Sequence, residues 1–331
     1  LAGEYADELA NLGVRVSNLE KKVGNLYWSG DARMRYTASS SDKKADAYDG
    51  RIRLNVKGQV NEATYVQGQF VNNMDFKGDK PSNTTMAQIY VNHNFGKNVA
   101  VRLGRQPVAF GNQGGWLYNG LEGYDGAQVS YNNGKLALTT GFGQLNASEY
   151  ADVKSTDVYF AKGAYDFGFA KLNADYIADK DSEANRAEIY GVGLNVPVQQ
   201  FNVFGEYWNN TTAKDYDTAW NAGLSYGKAD WKKAGTWDLS VAYNDVDQGV
   251  YFGGGTWHND MLKNLTGAVI DKTAKTKYLT ATNLTFWNVL ANVTLQKNVQ
   301  LHAEYAFGAD AEGTNGVDPD DSWTVSLNYK F

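Results

Sequence analysis

Arg51-Ile52-Arg53-Leu54-Asn55-Val56-Lys57-Gly58-Gln59-Val60 decides the fold. Arg51, Arg53, Asn55, Lys57 and Gln59 share one parity, and Ile52, Leu54, Val56, Gly58 and Val60 share the other. A period of two is a strand with one apolar and one polar face. The same sorting appears at both ends of the chain. Ser29, Asp31, Arg33, Arg35 and Thr37 alternate with Trp28, Gly30, Ala32, Met34 and Tyr36. Thr324, Ser326, Asn328 and Lys330 alternate with Trp323, Val325, Leu327, Tyr329 and Phe331. A half-buried strand of a soluble sandwich alternates too. Successive arginines on one face fit a wet interior better, with the apolar face turned to lipid.

The rhythm of connections points the same way. Short turns at Asn61-Glu62, Lys97-Asn98, Asn133-Gly134, Phe167-Gly168 and Lys297-Asn298 alternate with longer polar loops. Aromatic residues recur near strand termini: Trp28, Tyr36, Tyr131, Tyr176, Tyr207, Trp220, Tyr226, Trp237, Tyr243, Trp323 and Phe331. There they suit two interfacial girdles. The expected strands are 27–38, 48–60, 63–74, 85–96, 98–106, 124–132, 135–146, 155–166, 169–179, 186–197, 201–209, 217–228, 236–246, 280–296, 299–308 and 322–331. These sixteen predict an all-β, antiparallel transmembrane barrel over 27–331, with a lumen too wide for side chains to fill. Residues 247–279 read as a long loop or one further hairpin, which would make eighteen strands.

Residues 1–26 are different. Leu9, Leu12, Val16, Leu19, Val23 and Leu26 are spaced 3, 4, 3, 4, 3, the seam of a short coiled coil. Arg15 and Glu20 fall at g and the following e. The expectation is an oligomeric stalk helix, because an isolated helix of this length is marginal in water. The chain begins at Leu1, so an upstream segment is expected to have been removed.

Composition excludes several function classes. The 331 residues include no Cys, 3 His, 35 Gly and 4 Pro, with a net charge of −6. No run of apolar residues is long enough for a membrane helix. Zero Cys removes thiolate metal sites and thiol nucleophiles. His93, His258 and His302 are too scattered for a metal centre, and mild acidity disfavours nucleic acid. No metal site and no cofactor is expected. Asp320-Asp321 reads as solvated, with a surface cation site as the alternative. No Ser/His/Asp set converges on one inward parity, so the barrel is expected not to be an enzyme, a barrel hydrolase being the alternative.

Arginine carries the candidate site. Arg33, Arg35, Arg51, Arg53 and Arg102 share the inward parity of the first, second and fifth strands, and Lys57 joins them. Guanidinium stays charged and is held as a stiff fork, so this wall predicts a fixed positive field. Arg105 has the opposite parity. The stretch Pro107 to Asp125 reads as a loop without Lys or Arg, carrying Phe110, Trp116, Leu117 and Tyr118. Such apolar content predicts a loop folded into the lumen. Trp116 and Tyr118 would wedge it, and Glu122 and Asp125 would face the arginines across a narrowed aperture.

The order of elements resembles the general porins of bacterial outer membranes. The likeness rests on Val101-Arg102-Leu103-Gly104-Arg105-Gln106 closing strand five, the Gly-rich loop after it, and the last strand Trp323 to Phe331 ending in Phe. It implies that the loop is the constriction loop, and that the last strand resembles the signal read by the barrel-assembly machinery. The front end, Glu4-Tyr5-Ala6-Asp7-Glu8-Leu9-Ala10-Asn11-Leu12-Gly13-Val14-Arg15-Val16, is similar to the segment after the S-layer-homology domain of OmpM-type porins from outer-membrane-bearing Firmicutes. That resemblance implies a homotrimer in outer-membrane lipid, with its stalk in the periplasm. An upstream domain, absent here, would bind peptidoglycan. The implied function is passive diffusion of small hydrophilic solutes and ions, together with tethering of membrane to wall. A sugar- or oligosaccharide-selective channel, and a protein that is chiefly a structural tether, are the alternatives.

Overall fold

Strand pairing runs unbroken around the molecule in a computed structural model. The structure describes residues 5, 8, 12, 14, 24–40, 46–78, 82–111, 118–145, 156–179, 188–250, 261–262, 281–313 and 318–331, with side chains omitted at 118–123 and 156. The first eight strands are β1 Leu26–Ser39, β2 Ala47–Gln59, β3 Thr64–Asp75, β4 Asn83–Phe95, β5 Val99–Phe110, β6 Tyr118–Asn132, β7 Leu136–Leu145 and β8 Thr156–Asp166. The others are β9 Lys171–Asp179, β10 Glu188–Val198, β11 Phe201–Asn210, β12 Thr218–Gly227, β13 Trp237–Asp247, β14 Ala281–Gln296, β15 Val299–Gly313 and β16 Ser322–Lys330. All neighbours are antiparallel, and β1 pairs with β16 to close the barrel.

Sixteen is the expected number. Strand β13 pairs directly with β14, so no further strand stands between them in the closed wall and the eighteen-strand alternative falls. Closure leaves no edge with unpaired backbone groups. The seam is finished by Phe331, whose N–H and C=O exchange hydrogen bonds with Gly30 at 3.0 and 2.8 Å. A Cβ at Gly30 would stand 2.6 Å from the Phe331 ring, so only glycine lets the terminal ring lie there.

Side chains are sorted inside out relative to a soluble barrel. Met34, Ile52, Leu54, Val66, Ile89, Leu103, Val129, Leu138, Val192 and Leu239 are exposed on the outer face. Arg33, Gln69, Gln88, Asn92, Gln106, Asn221, Asn244, Asn288, His302 and Glu304 are buried on the inner parity. An outer surface that is apolar along whole strands is stable only where water is absent.

The two ends differ. At the end holding both Leu26 and Phe331, strands are joined by turns as short as Gln199-Gln200 and Lys297-Asn298. At the other end the connections are longer, up to 248–280 between β13 and β14. Outward aromatics gather at both. Phe201, Tyr226 and Trp237 make ring contacts at 4.9 and 5.4 Å at the first end. Trp220, Tyr243 and Trp287 do so at 5.5 and 5.1 Å at the second.

Two expectations need correction here. Leu26, assigned to the stalk seam, is the first residue of β1 and pairs with Gly58. Of the other stalk positions, Leu12 is helical and exposed, as are Tyr5, Glu8 and Val14. Leu9, Val16, Leu19 and Val23 lie outside the described residues, as do Arg15 and Glu20. The second correction concerns Pro107 to Asp125, read as one loop. Strand β5 runs on to Phe110, and Val108, Ala109 and Phe110 pair with Gly120, Asn119 and Tyr118. Pro107, which has no N–H to give a ladder, sits where the register jumps between Gln106 and Val108. A strand resumes beyond it because the missing donor falls in a bulge.

Candidate functional site in the barrel lumen

The arginines of β1 and β2 meet across the strand pair in three rungs. Asp31 lies opposite Arg53, Arg33 opposite Arg51, and Arg35 opposite Asp49. Like charges directly opposite one another destabilise a sheet. Here a carboxylate flanks the Arg33/Arg51 rung on each side. Arg53 Nε donates to both Asp31 oxygens at 3.0 and 2.8 Å, and Arg51 Nη2 reaches the same carboxylate at 3.3 Å. Arg35 Nε donates to Asp49 at 2.7 Å, and Arg33 Nη2 to Asp49 at 3.4 Å. Four guanidiniums share two carboxylates, so the ladder keeps two positive charges in excess. Shared pairing also fixes each fork in place, which a loose surface lysine would not be.

The other expected cations are held by aromatic faces. Lys57 Nζ lies 4.4 Å from the Tyr65 ring centre, and the Arg102 guanidinium 4.6 Å from that of Tyr90. Both contacts are cation–π attractions, in which a neutral ring stiffens the side chain without neutralising its charge. Arg102 is on β5, three strands beyond β2, and does not join the ladder.

Asp125 is not opposite the arginines of β1 and β2. Arg105 Nε and Nη2 donate to its two oxygens at 2.7 and 2.6 Å. The reason is parity. Tyr124 is fully buried on the inner face, so its neighbour Asp125 turns outward, and its register partner is Arg105. Glu122 lies in the β6 stretch that the bulge leaves out of register, Tyr118 is paired with Phe110, and Trp116 lies outside the described residues.

Buried carboxylates stand elsewhere on the inner wall, at positions that single-strand reading passed over. Asp175 is on β9, halfway round the ring from β1. Glu206 on β11 accepts from Asn221 Nδ2 at 3.0 Å and Trp208 Nε1 at 3.4 Å. Glu304 on β15 accepts from Asn288 Nδ2 at 3.0 Å. Their sequence signal was only an acid on the inward parity of a strand, and the same signal was present for Asp31 and Asp49.

The end of the β5–β6 hairpin reaches the inner faces of β8 and β9. Gly111 N–H donates to Asp175 Oδ2 at 3.2 Å, and Lys162 Nζ donates to the Ala109 carbonyl. Phe110, fully buried, meets Phe160 edge-on at 5.4 Å, and Tyr124 meets Phe160 at 5.3 Å. These contacts bypass β7, which stands between β6 and β8 in the wall.

No protein-family model matches the sequence, and no curated protein matches it. Solved structures do match the fold. A triply substituted porin from Rhodopseudomonas blastica superposes with a TM-score of 0.61 at 13% identity, covering 92% of this chain and 100% of that one. A second variant of the same porin gives 0.61 at 13% identity over the same shares. The chain therefore has a porin-like fold, a closed barrel of sixteen antiparallel strands.

Proposed function

We propose that this protein is a passive outer-membrane channel for small hydrophilic solutes and ions. One observation carries the reading: apolar side chains cover the outside of a closed barrel, while charged and amide side chains line its inside beside an apolar cluster that includes Phe110, Phe160 and Trp208. A lumen lined this way hydrates, and fixed charges on its wall bias what passes. The β5–β6 hairpin is the constricting element. Contacts from Phe110 and Gly111 to Phe160, Lys162 and Asp175 support its inward course. The basic side of the aperture is Arg33, Arg35, Arg51 and Arg53, with Lys57 and Arg102. The acidic side is Asp175 and Glu206. Transport needs no reaction and no cofactor.

The likeness at Glu4 to Val16 supports kinship with OmpM-type porins, hence a homotrimer whose periplasmic stalk leads to a peptidoglycan-binding domain. On this reading the residues before Leu26 supply the stalk and the barrel from Leu26 onward the pore, and membrane tethering accompanies diffusion. Stepwise conductance of the purified protein in planar bilayers tests the channel. Detergent-resistant trimers that dissociate on boiling test the assembly. A protein that forms no conductance steps and stays soluble without detergent refutes both.

A further inference from the structure

The inner wall beneath the hairpin end holds a hollow of about 300 Å³, bounded by Gly111, Thr139, Lys162, Asn173 and Asp175. Its origin is a change of side-chain size between two adjacent rungs. On one rung Thr139 is opposite Lys162, and Lys162 opposite Asp175. On the next inward rung, Ala137 is opposite Ala164, and Ala164 opposite Asn173. Two alanines where the neighbouring rung has longer side chains leave room for a ligand.

We propose that this hollow is a binding subsite for a small uncharged polyhydroxylated solute, such as a hexose. The proposal deepens the channel reading and rests on it. Three observations favour that chemistry. Lys162 and Asp175 contribute opposite charges, so the hollow selects neither anions nor cations. Each is already half engaged with the hairpin, through Ala109 and Gly111, and keeps further donor or acceptor capacity. Asn173 Oδ1 is buried with no hydrogen-bond partner among the described residues, and an acceptor left so costs free energy until a donor arrives. A sugar hydroxyl both donates and accepts, which matches donors and acceptors alternating within one small space.

Glucose, titrated against single-channel current in planar bilayers, tests this. The expected result is a saturable reduction of current. Asn173→Leu should raise the half-saturating concentration about fivefold, the worth of one or two hydrogen bonds. Ala164→Leu, which fills the hollow, should remove the saturable component. Each variant is compared with its own sugar-free current. Normal conductance without saturable glucose block overturns the subsite while leaving the channel standing, and an unchanged half-saturation in both variants does the same. Block by alanine but not by glucose overturns the assignment to sugars in favour of zwitterions. A complete absence of conductance instead refutes the channel itself.

Discussion

Replacing Arg51 and Arg53 with alanine removes two of the four guanidiniums that share Asp31 and Asp49. The ladder then changes from two positive charges in excess to none. An ion passing about 6 Å from the wall feels each unit charge by roughly 0.7 kcal/mol in water, and about 0.3 kcal/mol after screening at physiological salt. Two charges make about 0.65 kcal/mol. The loss helps a cation and hinders an anion by the same amount, so their permeability ratio moves by about 1.3 kcal/mol, roughly tenfold towards cations. Reversal potential under a salt gradient reads this directly. At 1 M salt the screening length falls to about 3 Å, and the change should shrink to less than about twofold. A reversal potential unchanged at low salt would show that the ladder does not border the ion path. A change equally large at 1 M salt would show that the variant altered the pore's shape and not its field.

Two further substitutions test the barrel itself. Ile52→Lys places a charge on the outer face near the middle of β2, where Ile52 is exposed between Arg51 and Arg53. It should cost about 2–4 kcal/mol in folding into lipid vesicles, whereas a water-facing position would cost almost nothing. Gly191→Ala puts a methyl 2.2 Å from the Trp208 ring, which is fully buried against that glycine. The ring must move, and unfolding in detergent should show a loss of about 1–3 kcal/mol. An unperturbed transition would mean that the Trp208 ring of β11 does not pack against Gly191 of β10.

The strand pattern could be read from the chain because it is local. Each strand repeats its own polar and apolar parity, so Ile52 between Arg51 and Arg53 declares its face without reference to any other strand. Counting such runs leads to sixteen, and the inward parity of Asp31, Arg33 and Arg51 follows from the same arithmetic. The porin-like architecture was therefore present in one dimension.

Partnership across strands was not. Asp31 and Asp49 lie outside the recognised arginine set, although each binds two of its members, because register between strands sets who meets whom. Asp125 reads as an aperture acid, but the inward Tyr124 beside it and the cross-strand register turn it outward to Arg105. Lys162 and Asp175 are some fifty to sixty residues from the hairpin end they hold, a separation no local period encodes. Sequence alone determined which face of each strand is wet, since alternation is a property of neighbouring residues. Only the closed barrel decided which charges compensate one another and where an uncompensated acceptor waits, since those depend on residues brought together from distant parts of the chain.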